Sequence, residues 1–293
     1  MKVERVESPF EHVFSFKVLG RSVRVRCAES TTLALVTAAY REMRDNAGTV
    51  DLDYAVGRDS AAAGFRITRQ GRASLMAPDA GAFLAAFDEH ITVEMQKLRR
   101  DLYFVHGAVL IHRAAVMLVA KSGGGKSTLT WAMLHHGFGF LSDELAPVEL
   151  DTLQVHPYPR TLLLKREPPD SYPLPRRTVV TSRGLHLLDV PGSVGSAPAS
   201  LEAVIFVQYD PRASEPAIRR LTTAEATVRL YANALNPLSH ANDGLDGAVR
   251  ITAACHCYEL ISADLPTTCA LLAQTLESGM QGRIRETRGS ELQ

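Results

Sequence analysis

The sequence predicts an α/β protein in two parts. A smaller α+β domain spans residues 1–100, a larger α/β domain spans 101–280, and a polar tail closes the chain at 281–293. Three observations predict this. Residues 115–119 and 203–207 are near-continuous apolar runs, the pattern of strands covered on both faces. Between the first of these and a helix-compatible stretch at 129–136 lies Ser122-Gly123-Gly124-Gly125-Lys126-Ser127-Thr128. The first hundred residues instead alternate apolar and polar positions, as half-buried strands do.

Composition supports packed domains. At 293 residues, 46% hydrophobic and 22% charged, the chain has ample material for a core. Lys plus Arg equals Asp plus Glu at 32 each, so no global field favours nucleic acid or an acidic membrane surface, and neither is expected as a partner. The cysteines, at 27, 255, 257 and 269, are too sparse for a disulfide framework and favour a reducing compartment. The opening MKVERVESPF has acidic residues and no apolar core of a secretory signal. The longest apolar run, 114–120, is far short of the roughly 20 residues that span a bilayer. A cytoplasmic protein is expected.

In chain order, Phe14, Phe16 and Val18, then Val23, Val25 and Cys27, read as a hairpin around Gly20. Leu33, Val36, Tyr40 and Met43 recur at helical spacing, which predicts a helix over 31–43. Short strands are expected at 50–56 and 65–67, and Leu84, Phe87, Ile91, Met95 and Leu98 mark one stripe of a long helix. Beyond the boundary near residue 100, prolines at 157, 159, 168, 169, 173 and 175 exclude regular helix and predict a long surface connection. Helices are expected again at 223–234 and 266–278, and a frayed end from Gln281.

The glycine segment carries the chemistry. Glycines at 123, 124 and 125 let consecutive backbone N–H groups turn inward at a helix N-terminus, where negative charge is favoured. Lys126 supplies a mobile cation for the β and γ phosphates of a nucleotide, and Ser127 a hydroxyl for the accompanying magnesium ion. Ser122 to Thr128 are therefore the expected nucleotide-binding residues, with ATP and Mg2+ as cofactors. Ala120 stands where such a loop usually begins with glycine, which is tolerable if its φ stays negative. The plain rival is a glycine-rich turn that happens to precede lysine.

After the next short apolar segment come Asp143 and Glu144. Ligands of open parallel sheets sit at the carboxyl ends of strands, so this pair should face the loop. One carboxylate can hold magnesium and the other accept the proton of an attacking hydroxyl. The rival reading is an acidic helix start or a solvated turn.

These residues together resemble the catalytic domain of the HPr kinase/phosphorylase family, and more closely its kinase-related paralogues. The likeness runs from His106-Gly107 and Val109-Leu110 through the loop core at 122–127 to Gly137 and Asp143-Glu144. It continues at Arg183-Gly184-Leu185-His186-Leu187-Leu188-Asp189-Val190, covering about 104–210. It implies a P-loop core of the HPr kinase/PEP carboxykinase type. Within it Asp143 would be the catalytic carboxylate, Glu144 and Ser127 would help hold the metal, and His106 would lie beside the transferred phosphoryl group.

Departures are visible. Glu144 stands where the family usually has aspartate, and Thr181 where it usually has glutamate. The lysine-containing loop associated with the reverse reaction has no convincing copy, so the resemblance implies a dedicated kinase. Residues 1–100 do not resemble the family's N-terminal domain and stand as a candidate substrate or partner domain.

Other residues have weaker standing. Arg183 can offer a planar guanidinium to phosphate, against the rival of a surface arginine, and Arg160 is a further candidate on the proline-rich connection. Cys255-His256-Cys257 has the wrong spacing for paired zinc ligands. His135 and His136 are adjacent on a helix and point apart. The expected activity is transfer of the γ-phosphate of ATP to a hydroxyl, most simply a serine of a small protein or peptide. The alternatives are a small-molecule kinase and a nucleotide-binding switch or peptide-docking module without transfer. Oligomeric state is left open, a homo-oligomer included.

Overall fold

The computed structural model describes residues 10–46, 48–59 and 64–290. All but Phe10 of the opening MKVERVESPF lies outside them, so its reading as no secretory signal falls there too. The fold is mixed α/β. It divides into two compact units, one of Met1–Arg99, Pro159–Arg166 and Pro175–Asp189, the other of Arg100–Tyr158, Glu167–Leu174 and Val190–Gln293. The first unit thus takes in two later segments that the sequence reading had grouped with residues 101–280.

The first unit opens with the hairpin of β1 (His12–Val18) and β2 (Arg21–Cys27). Leu19 and Gly20 both have positive φ (49° and 80°), the tight turn that matches strand twist. Helix α1 (Ser30–Ala39) crosses to β3 (Leu52–Asp59), which pairs parallel with β2. Strands β4 (Gly64–Arg69) and β5 (Leu75–Ala77) follow antiparallel, and the five strands lie in sequence order. Helix α2 (Ala80–Leu98) starts where Asp79 accepts the Ala82 N–H at 2.9 Å.

Because strand side chains alternate, Phe14 and Phe16, Val23 and Val25, and Tyr54 and Val56 share one buried face. Against it sits the α2 stripe of Leu84, Phe87, Ile91 and Met95. Rings join the layers: Phe16 stacks on Tyr40 at 4.5 Å, and Phe87 meets Tyr40 and Tyr54 edge-on at 5.7 and 5.2 Å. Each such burial stabilises by roughly 1.5–3 kcal/mol. The helix expected to reach residue 43 stops at Ala39. Tyr40 leaves helical geometry (φ −118°, ψ 20°), its ring packed on Phe16, and a short 3-10 turn covers Arg41–Met43.

In the second unit β6 (Leu102–Val105), β7 (Ala108–His112) and β8 (Ala114–Val119) lead through the glycine segment into α3 (Lys126–His135). Strands β9 (Gly139–Ser142), β10 (Ala146–Glu149) and β11 (Gln154–Val155) follow. The chain then enters the first unit, where β12 (Leu162–Leu164), β13 (Thr178–Thr181) and β14 (Gly184–Leu187) form a three-stranded sheet in the order β12-β14-β13. This corrects the expectation of a surface connection over 157–177. Arg160, Thr161, Leu162 and Leu164 are buried, and the prolines flank the strand rather than interrupt it.

Back in the second unit come β15 (Ala199–Tyr209), β16 (Ala217–Arg220), α4 (Thr223–Tyr231), α5 (Leu245–Ala254), β17 (His256–Ser262) and α6 (Leu265–Ser290). The expected frayed end is helical through Ser290, because each residue added to an existing helix gains a hydrogen bond without a new nucleus. Three parallel strands, β17, β15 and β8, form the centre of a nine-stranded sheet, with β7 and β9 continuing antiparallel beyond β8. All six residues of β8 are buried, as its unbroken apolar run requires. Among the described residues no helix is long and apolar enough to cross a membrane, and Cys27, Cys255, Cys257 and Cys269 are buried.

Candidate functional site

Strand directions assemble the site. Strand β7 is antiparallel to β8, and β9 is antiparallel to β7, so β9 runs the same way as β8. The carboxyl ends of β8 and β9 and the entrance to β7 therefore lie at one edge of the sheet. The glycine segment, Asp143-Glu144 and His106-Gly107 are attached to these three ends.

The loop turns tightly. Gly124 N donates to Lys121 O at 2.9 Å, and Gly123 and Gly125 hold φ of 82° and 90°, a region in which a Cβ is penalised. Helix α3 then begins with Leu129 N donating to Gly125 O. A side chain on Gly124 would meet Lys121 O at 3.0 Å and Ala120 Cβ at 3.1 Å. Ala120 is not among the positive-φ residues, so the condition under which alanine is tolerable there is met. Tyr209, at the end of β15, backs the loop through its N–H to Gly124 O at 3.2 Å. Sequence reading missed this support, which depends on a strand some eighty positions away.

Lys126 and Ser127 sit on the first turn of α3 and converge on Asp143. Lys126 Nζ donates to Asp143 Oδ1 at 2.9 Å, and Ser127 Oγ lies 3.3 and 3.2 Å from its two oxygens. Lys126 is 6% exposed and Asp143 fully buried. Lys126 Nζ also lies 3.5 Å from Glu144 Oε1, and Glu144 Oε2 lies 3.4 Å from His106 Nδ1. Glu144 adopts φ 74°, a left-handed conformation costly for a residue with a side chain.

His106 is fixed through its backbone, whose N–H donates to Asn233 O at 2.8 Å. Gly107 beside it is required by a close approach, since a Cβ there would lie 3.0 Å from Leu118 O. Burial, then the nearby Lys126 charge, pushes the His106 imidazole below its ordinary pKa, with Glu144 and Asp143 pulling the other way.

The structure brings together His106, Lys126, Ser127, Asp143 and Glu144. Ser122, Gly123, Gly124, Gly125 and Thr128 line the same turn, Ser122 and Gly123 exposed and the others half-buried. Arg183 belongs to the first unit, exposed on the turn between β13 and β14, and is not one of the side chains the second unit gathers. Arg160 is also in the first unit, 6% exposed, its Nε 3.0 Å from Asp88 Oδ1. Of the remaining histidines, His112 stacks on Phe138 and His136 Nε2 lies 2.9 Å from Tyr172 Oη.

Ser127 and the two carboxylates are hard oxygen donors of the kind magnesium takes. Among the described residues no three His, Cys, Asp or Glu side chains cluster as a self-sufficient metal site.

No family model matches the chain, and no curated protein matches it. Among solved structures it is similar to the HPr(Ser) kinase/phosphatase from Coxiella burnetii, at 13% identity over 64% of this chain and 96% of that one, with a TM-score of 0.32.

Proposed function

We propose that this chain is a phosphotransferase. More particularly, we read it as an ATP- and magnesium-dependent kinase that transfers the γ-phosphate to a serine hydroxyl of a small protein or peptide in the cytosol. One observation carries the reading: a buried aspartate held by a lysine and a serine at the start of the helix that follows a left-handed glycine turn. A turn that merely reversed the chain would not require a buried ammonium and carboxylate at its end, since such a pair is costly to desolvate.

In this reading the backbone N–H groups of residues 122–128 receive the phosphates, and Lys126 moves from Asp143 onto the β and γ oxygens. Asp143, released, accepts the proton of the acceptor hydroxyl as its oxygen bonds to phosphorus, while the bond from phosphorus to the β-bridging oxygen breaks and ADP leaves. Ser127, Asp143 and Glu144 are the residues that would hold magnesium, which offsets charge on the phosphate oxygens. His106, kept neutral by burial, can contact the transferred group without adding charge. Arg183 is a candidate for a second contact to phosphate.

The test is incubation with γ-labelled ATP, magnesium and serine-containing peptides. Label should appear on a peptide, and Asp143→Asn should cut the transfer rate by about 100- to 10,000-fold with nucleotide affinity nearly unchanged. Equal rates for the two proteins would end the role given to Asp143. Label on a small hydroxyl compound alone would make it a small-molecule kinase.

A further inference from the structure

The small sheet of the first unit is bounded by two edge strands, β12 and β13. Its order is β12-β14-β13, so among the described residues β13 pairs with β14 alone and its other edge has no strand beside it. Register aligns three rows across the sheet, and one of them is Leu164, Leu185 and Val180. Directly paired residues point to the same face. Leu164 is 1% exposed and Leu185 9%, yet Val180 at the end of the row is 76% exposed. The apolar row therefore runs out to the open edge instead of stopping before it.

Exposed edge strands in native proteins are usually blunted by a lysine, a proline, a bulge or a covering element. β13 reads Thr-Val-Val-Thr and has none of these within it. Its flanks are basic. Arg176 precedes it and Arg183 follows it, both exposed, while exposed Lys165 and Arg166 follow β12. Arg177 is held by Asp189 through two hydrogen bonds of 2.8 and 2.7 Å. Asp79 near the turn accepts from Ser182 and the start of α2 and also feels the charge of Arg183. The chain as a whole has no net charge, so this is a local concentration.

From these features we infer that the outer edge of β13 is a docking site for an extended acidic segment of another polypeptide, which adds as a fourth strand. An apolar side chain of that segment sits beside Val180, continuing the row. Acidic side chains on either side meet Arg176 and Arg183, which bracket the four residues of the strand. Main-chain hydrogen bonds supply affinity and the flanking charges set the choice of partner. A second copy of this chain fits less well, because pairing two such edges would bring like-charged arginines together. The proposal rests on the edge of β13 and not on the phosphate loop, and Arg183 is the one residue it shares with the phosphotransferase reading.

The probe is a fluorescent peptide of about eight residues with glutamates at both ends and alternating threonine and valine between, followed by fluorescence anisotropy with the full chain. Saturable binding is expected, weakened about tenfold or more in R176E/R183E, whose two positions are exposed and whose circular dichroism should match that of the parent chain. Two further probes carry N-methyl groups at the odd or at the even positions. Only alternate N–H groups of an added strand face its neighbour, so one N-methylated probe should bind and the other should not. Equal behaviour of those two, equal binding of a lysine-ended probe, or no binding at millimolar concentration would overturn the proposal. Probe-independent self-association abolished by Val180→Lys would assign the edge to a second copy instead.

Discussion

Lys126 Nζ lies 2.9 Å from Asp143 Oδ1, and both side chains are almost wholly removed from solvent. A buried pair of this kind is asymmetric in its energetics. Removing one member leaves the other charged in a low dielectric, whereas neutralising both costs far less. Lys126→Met should therefore destabilise the fold by about 3–5 kcal/mol, and adding Asp143→Asn should recover most of that. Urea denaturation of the two variants checks this. A double variant no more stable than the single one would mean that the pair is not coupled as described.

Acid stability should depend on His186, in the first unit. Burial, and after it the charge of Arg160, lowers its pKa to about 4, and the imidazole is 4% exposed with Nε2 3.2 Å from Thr181 Oγ1. A histidine depressed in the folded state binds its proton more readily unfolded. Its contribution is complete above the unfolded pKa near 6.5 and is lost as pH falls towards 4. Between pH 7 and pH 5 this one group should cost about 2 kcal/mol. In His186→Gln the difference between the stabilities at pH 7 and pH 5 should shrink by that amount.

Backbone conformation supplies opposite predictions at two neighbouring places. Gly125 holds φ 90° with Tyr209 Cβ only 3.3 Å from where its own Cβ would be, so Gly125→Ala should cost about 1–2 kcal/mol. Glu144 holds φ 74° with a side chain, so Glu144→Gly should stabilise the fold by about 1 kcal/mol. If magnesium is held as proposed, that same variant should need more of it for transfer. Thermal unfolding of the two proteins gives the signs directly.

Local patterns were readable and distant contacts were not. The unbroken apolar run of β8, the glycine turn and the start of α3 follow from adjacent residues, and so does the acid pair at the end of β9. Helix α5 and strand β17 escaped because their signals conflict. Gly247 reads as a helix breaker, yet a Cβ there would lie 2.9 Å from the Tyr103 ring, so its reason is packing. Cys255-His256-Cys257 drew attention as a possible metal motif, and the alternation of β17 behind it went unread. Strand β12 was hidden by prolines that only flank it. His106 is placed by Asn233, which no local pattern could reveal.

Nothing in the linear order of residues joins Arg160 to Asp88. The guanidinium that read as a phosphate contact is instead a buried partner inside the first unit, with Tyr40 Oη also donating to Asp88 at 3.0 Å. Arg160→Lys should lower stability with phosphoryl transfer per folded molecule unchanged, since a lysine cannot reproduce the guanidinium geometry. Transfer assays normalised to folded protein separate the two effects.

The four thiols give the molecule a clock. Burial pushes Cys27 and Cys257 up to about 12 and Cys269 to about 11, far from the thiolate form that reacts with electrophiles. In the folded chain a maleimide should find almost no target, and each labelling event then dates an opening of the segment that hides the sulfur. Cys27 times the first unit and the other three time the second, so one mass spectrum taken through a labelling course would rank the two halves by how often each comes apart.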